Sequence, residues 1–200
     1  DMLMILRLFI ILSVMVACYA TIAVFGASGK TGSECVFQAL SNGVDVIALV
    51  RNPDKLRIPL GSGGERAGQL YIDMEMKNKE FEFSGKLTVI KGDVTNPSDV
   101  EFVFQSDTNI DSVIVALGGR TKDVGLTMLT NGTSNIINSM VSRDLTRVAV
   151  VTSVGAGDSI KQAPWSFWLL MMTVMRNIMA DKNNQEELFL SPNGIGHNLE

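Results

Sequence analysis

Residues 24–32 read VFGASGKTG, with glycines at positions 26, 29 and 32. Glycine tolerates backbone angles closed to other residues and leaves room for a ligand to approach the main chain. The chemistry that this spacing serves is the binding of a pyrophosphate. Gly26 would allow a sharp turn, Gly29 would keep a Cβ out of the path of the phosphates, and Gly32 would let the following helix pack close to the preceding strand. The N–H groups of the helix start would face the anion, with the helix dipole assisting. Ser28, Lys30 and Thr31 add hydroxyl and ammonium donors at the same place. A P-loop is excluded, because its GxxxxGK[ST] spacing is absent. A tight turn without a ligand remains the alternative. An apolar strand-like run before the glycines and a helix-like run after them favour the dinucleotide reading.

A second group lies in ALVRNPDKLR, residues 48–57. Sites that prefer NAD place a carboxylate at the end of the second strand, where it accepts from the ribose hydroxyls. Here Arg51, Lys55 and Arg57 cluster, with Asp54 the only acid. Guanidinium and ammonium groups suit a 2′-phosphate, so NADP(H) is expected in preference to NAD(H), with Arg51 and Lys55 as its ligands. An ordinary solvated loop is the alternative.

The elements that must position these groups alternate between strand-like and helix-like runs. Strands are expected at 21–26, 44–50, 86–93, 111–119 and 147–155. Helices are expected at 31–43, from near Pro97, and at 123–143. Near-continuous Val/Ile/Leu runs are typical of parallel strands covered on both faces. The expected architecture is an α/β, Rossmann-like doubly wound parallel sheet with right-handed crossovers. Within 53–85, GSGGER (61–66) reads as a mobile loop and 71–83 as a partly helical or hairpin insertion.

The whole chain narrows the choice of partner. It has 200 residues, enough for one domain with a sizeable core, and a net charge of −4 with no basic stripe, which argues against nucleic acid. One histidine and two distant cysteines, Cys18 and Cys35, lack metal-ligand spacing, so no metal is expected. His197 reads as a surface residue and Cys35 as a small buried hydrophobe. Residues 1–20 form an apolar leader with a single basic residue, Arg7, as in a signal peptide or membrane anchor. Residues 21–190 form the domain and 191–200 a tail. The run 163–175 is apolar but too short to span a bilayer, and it reads as a buried or substrate-covering helix or as a membrane-interface surface. Membrane contact through 2–20 and 163–175 is therefore expected, in a membrane-associated, organellar or secretory setting. A cytoplasmic setting follows if the leader is not native.

VFGASGKTG, ALVRNP, KGDVTNPSDV, VIVALGG and VVTSVGAG follow one another in the order found in the atypical short-chain dehydrogenase/reductases. The chain resembles their NAD(P)H-binding branch, which includes biliverdin reductase B (flavin reductase), over roughly residues 21–190. That resemblance implies that Asp93 and Val94 flank the adenine. It implies that Ala116, Leu117 and Gly118 line the path to the nicotinamide. Thr152 and Ser153 would then stand beside the nicotinamide or substrate, with Ser153 the candidate catalytic residue. Without it, Asp93 reads equally well as the cap of the helix near Pro97, and Ser153 as the end of a strand. The chain lacks the Tyr-x-x-x-Lys pair of many short-chain dehydrogenases, since neither Tyr19 nor Tyr71 precedes a lysine by four. It also ends in SPNGIGHNLE, where the family normally continues into elements that close the substrate pocket. The expected function is hydride transfer from NADPH to a flavin, quinone or tetrapyrrole-like acceptor. The alternative is a non-catalytic NADP(H)-binding subunit or redox sensor of a membrane-associated complex.

Overall fold

The computed structural model describes residues 20–59, 70–71, 83–118, 125–157, 159, 164–165, 173 and 175–200. Five strands form one sheet: β1 (Thr21–Phe25), β2 (Asp45–Val50), β5 (Leu87–Lys91), β6 (Ile110–Val115) and β7 (Val148–Val150). Their order is β5-β2-β1-β6-β7 and every pairing is parallel. The intervening helices are α1 (Lys30–Ser41), α2 (Pro97–Ser106) and α3 (Met128–Val141), with α4 (Arg176–Leu190) after β7. This is the expected Rossmann-like α/β fold.

The alternation of side chains along each strand explains why helices cover both faces. Ala23 and Phe25 of β1, with Ile47 and Leu49 of β2, pack against Val100, Val103 and Phe104 of α2 and Ile136 and Met140 of α3. The residues of opposite parity, Val24, Val46, Ala48 and Val50, pack against Val36 and Leu40 of α1. Two cores therefore form from one set of apolar runs.

Local signals place the helix ends. Gly43, at φ +78°, follows the end of α1. Asn96 caps α2 by accepting from the Ser98 N–H at 3.1 Å, with Pro97 in the first helical turn. Several boundaries differ from expectation. β6 stops at Val115 and β7 spans only Val148–Val150, because the following residues turn away to build a cleft. α3 begins at Met128, where its first N–H groups meet a carboxylate from α4. A short antiparallel pair, β3 (Ile58–Pro59) with β4 (Leu70–Tyr71), was not foreseen. The expected loop 61–66 and most of the insertion at 71–83 lie outside the described residues.

The segment 191–200 is not a free tail. The Gly196 N–H donates to Leu188 at 2.8 Å, and Leu199 packs on the core. Glu200 donates to the Thr146 carbonyl at 2.6 Å and accepts from the Val148 N–H at 2.7 Å, the pattern of a parallel neighbour beside β7. Among the described residues no helix is long and apolar enough to cross a membrane. Residues 1–19 and most of 163–175 lie outside them.

Candidate functional site

One cleft of about 840 Å³ crosses the carboxyl ends of the strands. It is centred where the strand order reverses between β1 and β6, the place where open α/β sheets bind ligands. Gly26, Ser28, Gly29, Lys30, Thr31, Arg51, Asp93, Val94, Ala116, Leu117, Gly118, Thr152 and Ser153 all line it. Gly32 and Lys55 do not.

The three glycines have different tasks. Gly26 has φ +89°, and a Cβ there would lie 2.4 Å from the Ala116 carbonyl oxygen, so only glycine lets β1 end against β6. A Cβ at Gly32 would lie 2.2 Å from the Gly26 carbonyl oxygen, so Gly32 serves the packing of α1 on the turn. Gly29 is exposed at φ −79°, and its N–H donates to Gly26 at 2.9 Å. It is the N-cap of α1 and supplies no side-chain acceptor, and the first turn of α1 carries no acidic residue. The positive end of α1 is thus left for an external anion, beside the exposed Ser28, Lys30 and Thr31.

At the β2–β5 end, Arg51 is exposed and lines the cleft, while Lys55 sits away from it in the 3-10 turn Pro53–Lys55. Arg57 is turned to the backbone, donating to the carbonyls of Asp54 at 2.7 Å and Leu56 at 2.9 Å. Asp93 does not cap α2. Its Oδ1 accepts from the N–H of Thr95 at 2.9 Å and from its hydroxyl at 2.7 Å. Partial burial raises the Asp93 pKa, but the two Thr95 bonds and the Arg51 charge outweigh it and leave the carboxyl below its ordinary range. Val94 is buried against Gly132 of α3, and its carbonyl accepts from Asn135 at 3.0 Å.

At the β6–β7 end, a Cβ at Gly118 would meet nothing within 4 Å among the described residues. Thr152 is exposed, and the Ser153 hydroxyl donates to the Val154 carbonyl at 3.2 Å. Among the described residues no hydrogen bond joins Ser153 to a titratable side chain.

Sequence reasoning missed Lys182. Its side chain is buried, lines the cleft, and donates to the carbonyls of Leu117 (3.2 Å) and Val151 (2.9 Å) and to Oε1 of Gln185 (3.1 Å). Burial lowers its pKa, opposed by Asp181 and Glu186. Gln185 in turn donates to the Thr133 hydroxyl at 2.7 Å, and Asp181 accepts from the N–H groups of Leu129 (2.8 Å) and Thr130 (3.0 Å) at the start of α3. The available signal was position: Lys182 and Gln185 lie on the same helical stripe as the buried Met179.

Residues 26–193 match a family described as NAD(P)H-binding, and the chain belongs to that family. Its fold is similar to that of the anaerobilin reductase ChuY from Escherichia coli O157:H7, with a TM-score of 0.54 at 18% identity over 81% of this chain and 65% of that one. It is also similar to the oxidoreductase YlbE from Lactococcus lactis, with a TM-score of 0.57 at 12% identity over 86% of this chain and 63% of that one. Gre2 from Candida albicans shares the fold with a TM-score of 0.54 at 15% identity, over 84% of this chain and 50% of that one. The chain spans less than two thirds of the length of these proteins.

The residues present fit a pyridine nucleotide. The uncapped α1 terminus fits a pyrophosphate, and the space left open at Gly118 among the described residues admits a ring close to the main chain. Among the described residues no cluster of His, Cys, Asp or Glu is arranged to hold a metal ion.

Proposed function

We propose that the protein binds NADPH along the cleft and presents it to a flavin, quinone or tetrapyrrole-like acceptor for reduction. The observation that carries this reading is the continuity of one cleft, which runs from Arg51 past the glycine turn to Thr152 and Ser153. Arg51 would hold the 2′-phosphate, the Gly29–Thr31 N–H groups the pyrophosphate, and Asp93 and Val94 the adenine. The cofactor, when bound, supplies the hydride. The protein's part is to orient it and keep one face of the ring open to the acceptor. The likeness to ChuY, described as an anaerobilin reductase, supports a tetrapyrrole among the candidate acceptors.

A non-catalytic binding role is the second reading. It is favoured by Ser153, whose hydroxyl, among the described residues, bonds to a neighbouring carbonyl and to no titratable side chain. The test is titration with NADPH and NADH, followed by cofactor oxidation in the presence of FMN, a quinone or a linear tetrapyrrole. Tighter binding of NADPH with turnover supports the enzyme, and tight binding without turnover supports the binding role. Failure to bind either cofactor overturns both readings.

A further inference from the structure

Lys182 Nζ has three acceptors within reach: the carbonyl oxygens of Leu117 and Val151 and Oε1 of Gln185. Gln185 turns Oε1 to the Lys182 nitrogen and Nε2 to the Thr133 hydroxyl. An ammonium group offers three donors, one for each acceptor, whereas a neutral amine offers two. The three acceptors therefore suit the charged form, while burial opposes it. Asp181 and Glu186, the acids nearest in sequence, favour that charged form by their own charge. Asp181 accepts from the first N–H groups of α3, and Glu186 stands beside Gly157 in the loop after β7.

This cation lines the cleft between the ends of β6 and β7, the half remote from Arg51. With the 2′-phosphate at Arg51 and the pyrophosphate at the glycine turn, the nicotinamide falls to this half. That placement rests on the function proposed above. The oxidised ring is a cation and the reduced ring is neutral, while both forms carry the same phosphates. Contributions from Arg51 and the glycine turn therefore cancel between the two forms, and a charge near the ring does not.

We propose that Lys182 makes the site discriminate by redox state, holding the reduced cofactor and repelling the oxidised one. All three ammonium protons are committed to the protein, so Lys182 acts by its field and not as a proton donor. The consequence for turnover is assistance in expelling the spent cofactor.

The test is the ratio of dissociation constants for NADP⁺ and NADPH, measured by calorimetry at one ionic strength. The unaltered protein is expected to bind NADPH about tenfold tighter or more, the scale of repulsion between unit charges at an intermediate dielectric. Lys182→Met should bring the ratio to within about threefold of unity, and Lys182→Arg should restore it. Should Lys182→Met fail to fold, Lys182→Gln gives the same reading, because it removes the charge and keeps amide donors for the carbonyls. Its ratio should also fall toward unity. Both forms binding with a ratio unmoved by Lys182→Met or by Lys182→Gln overturns the inference and leaves the functional reading standing. No binding of either form by the unaltered protein overturns the functional reading and the inference with it.

Discussion

The glycine turn and helix α4 face the same cleft and are built on opposite principles. The turn is local: Gly29 bonds to Gly26 and Ser33 to Gly29, Gly26 is needed for its backbone geometry, and Gly32 for the close approach of α1 to the turn. α4 works at a distance. Lys182 reaches carbonyls 65 and 31 residues away, and Gln185 and Asp181 each reach partners 52 residues away. Residue type alone specifies the first region. In the second, buried polar side chains satisfy backbone groups that the strand and helix ends leave open, and their partners exist only once the chain has folded.

The largest expected effect separates the turn's structural glycine from its ligand-facing one. Gly26→Val adds backbone strain at φ +89° to overlap with the Ala116 carbonyl, a loss of about 2–6 kcal/mol in urea unfolding. Gly29→Val has no such strain, and its Cβ needs the Gly26 carbonyl, 3.2 Å away, to give only slightly. It should stay within about 1 kcal/mol of the unaltered stability while losing most NADPH affinity to overlap with the pyrophosphate. Equal stability losses at the two positions would erase this division of labour.

Asp181→Ala probes α4 in the same currency of unfolding. It leaves the Leu129 and Thr130 N–H groups without their carboxylate, a cost of about 2–4 kcal/mol. A loss under about 0.5 kcal/mol would show that the Asp181 bonds to the start of α3 contribute little. For Arg51→Ala the effect is confined to ligand affinity. One charge-assisted bond is worth roughly 1.5–3 kcal/mol, so NADPH should weaken by about one to two decades with NADH nearly unchanged. Equal weakening of both cofactors would remove Arg51 from the 2′-phosphate.

The smallest effect lies far from the cleft, in the ion pair of Glu101 on α2 with Arg143 just after α3. Hydrogen bonding from Arg143, with help from Ser139 and against partial burial, lowers the Glu101 pKa from 4.5 to about 2. The pair's stabilisation is therefore present above pH 4.5 and is lost as pH falls toward about 2. Solvent screening keeps it under about 1 kcal/mol. Arg143→Ala should lower the urea midpoint near neutral pH, with the deficit shrinking near pH 2 to what the other Arg143 contacts contribute: the stacking on Phe104, 5.5 Å from the ring centre, and the bonds to the Ser139 carbonyl (3.0 Å) and the Ser142 hydroxyl (3.1 Å). A deficit independent of pH would assign the whole effect to those contacts.

Much of the fold was open to reading from the chain alone. The apolar runs at β1, β2, β5 and β6 announced parallel strands, and their two-residue parity determined which side chains enter which core. Gly26, Gly29, Arg51 and Ser153 could be placed at strand ends because a strand's end and the turn after it depend on neighbouring residues. Gly32 packs α1 on the turn, as its spacing implied, and neither it nor Lys55 lines the cleft, since orientation about α1 and the 3-10 turn is settled by what each packs against. Asp93 shows the same limit: only the fold decided that Thr95 takes its oxygen and Asn96 caps α2. Tertiary structure alone put Lys182 in the cleft. A lysine in the run DKNNQ carries no local mark of burial, because burial of its charge requires carbonyls from two strand ends and an amide from its own helix to converge on one nitrogen.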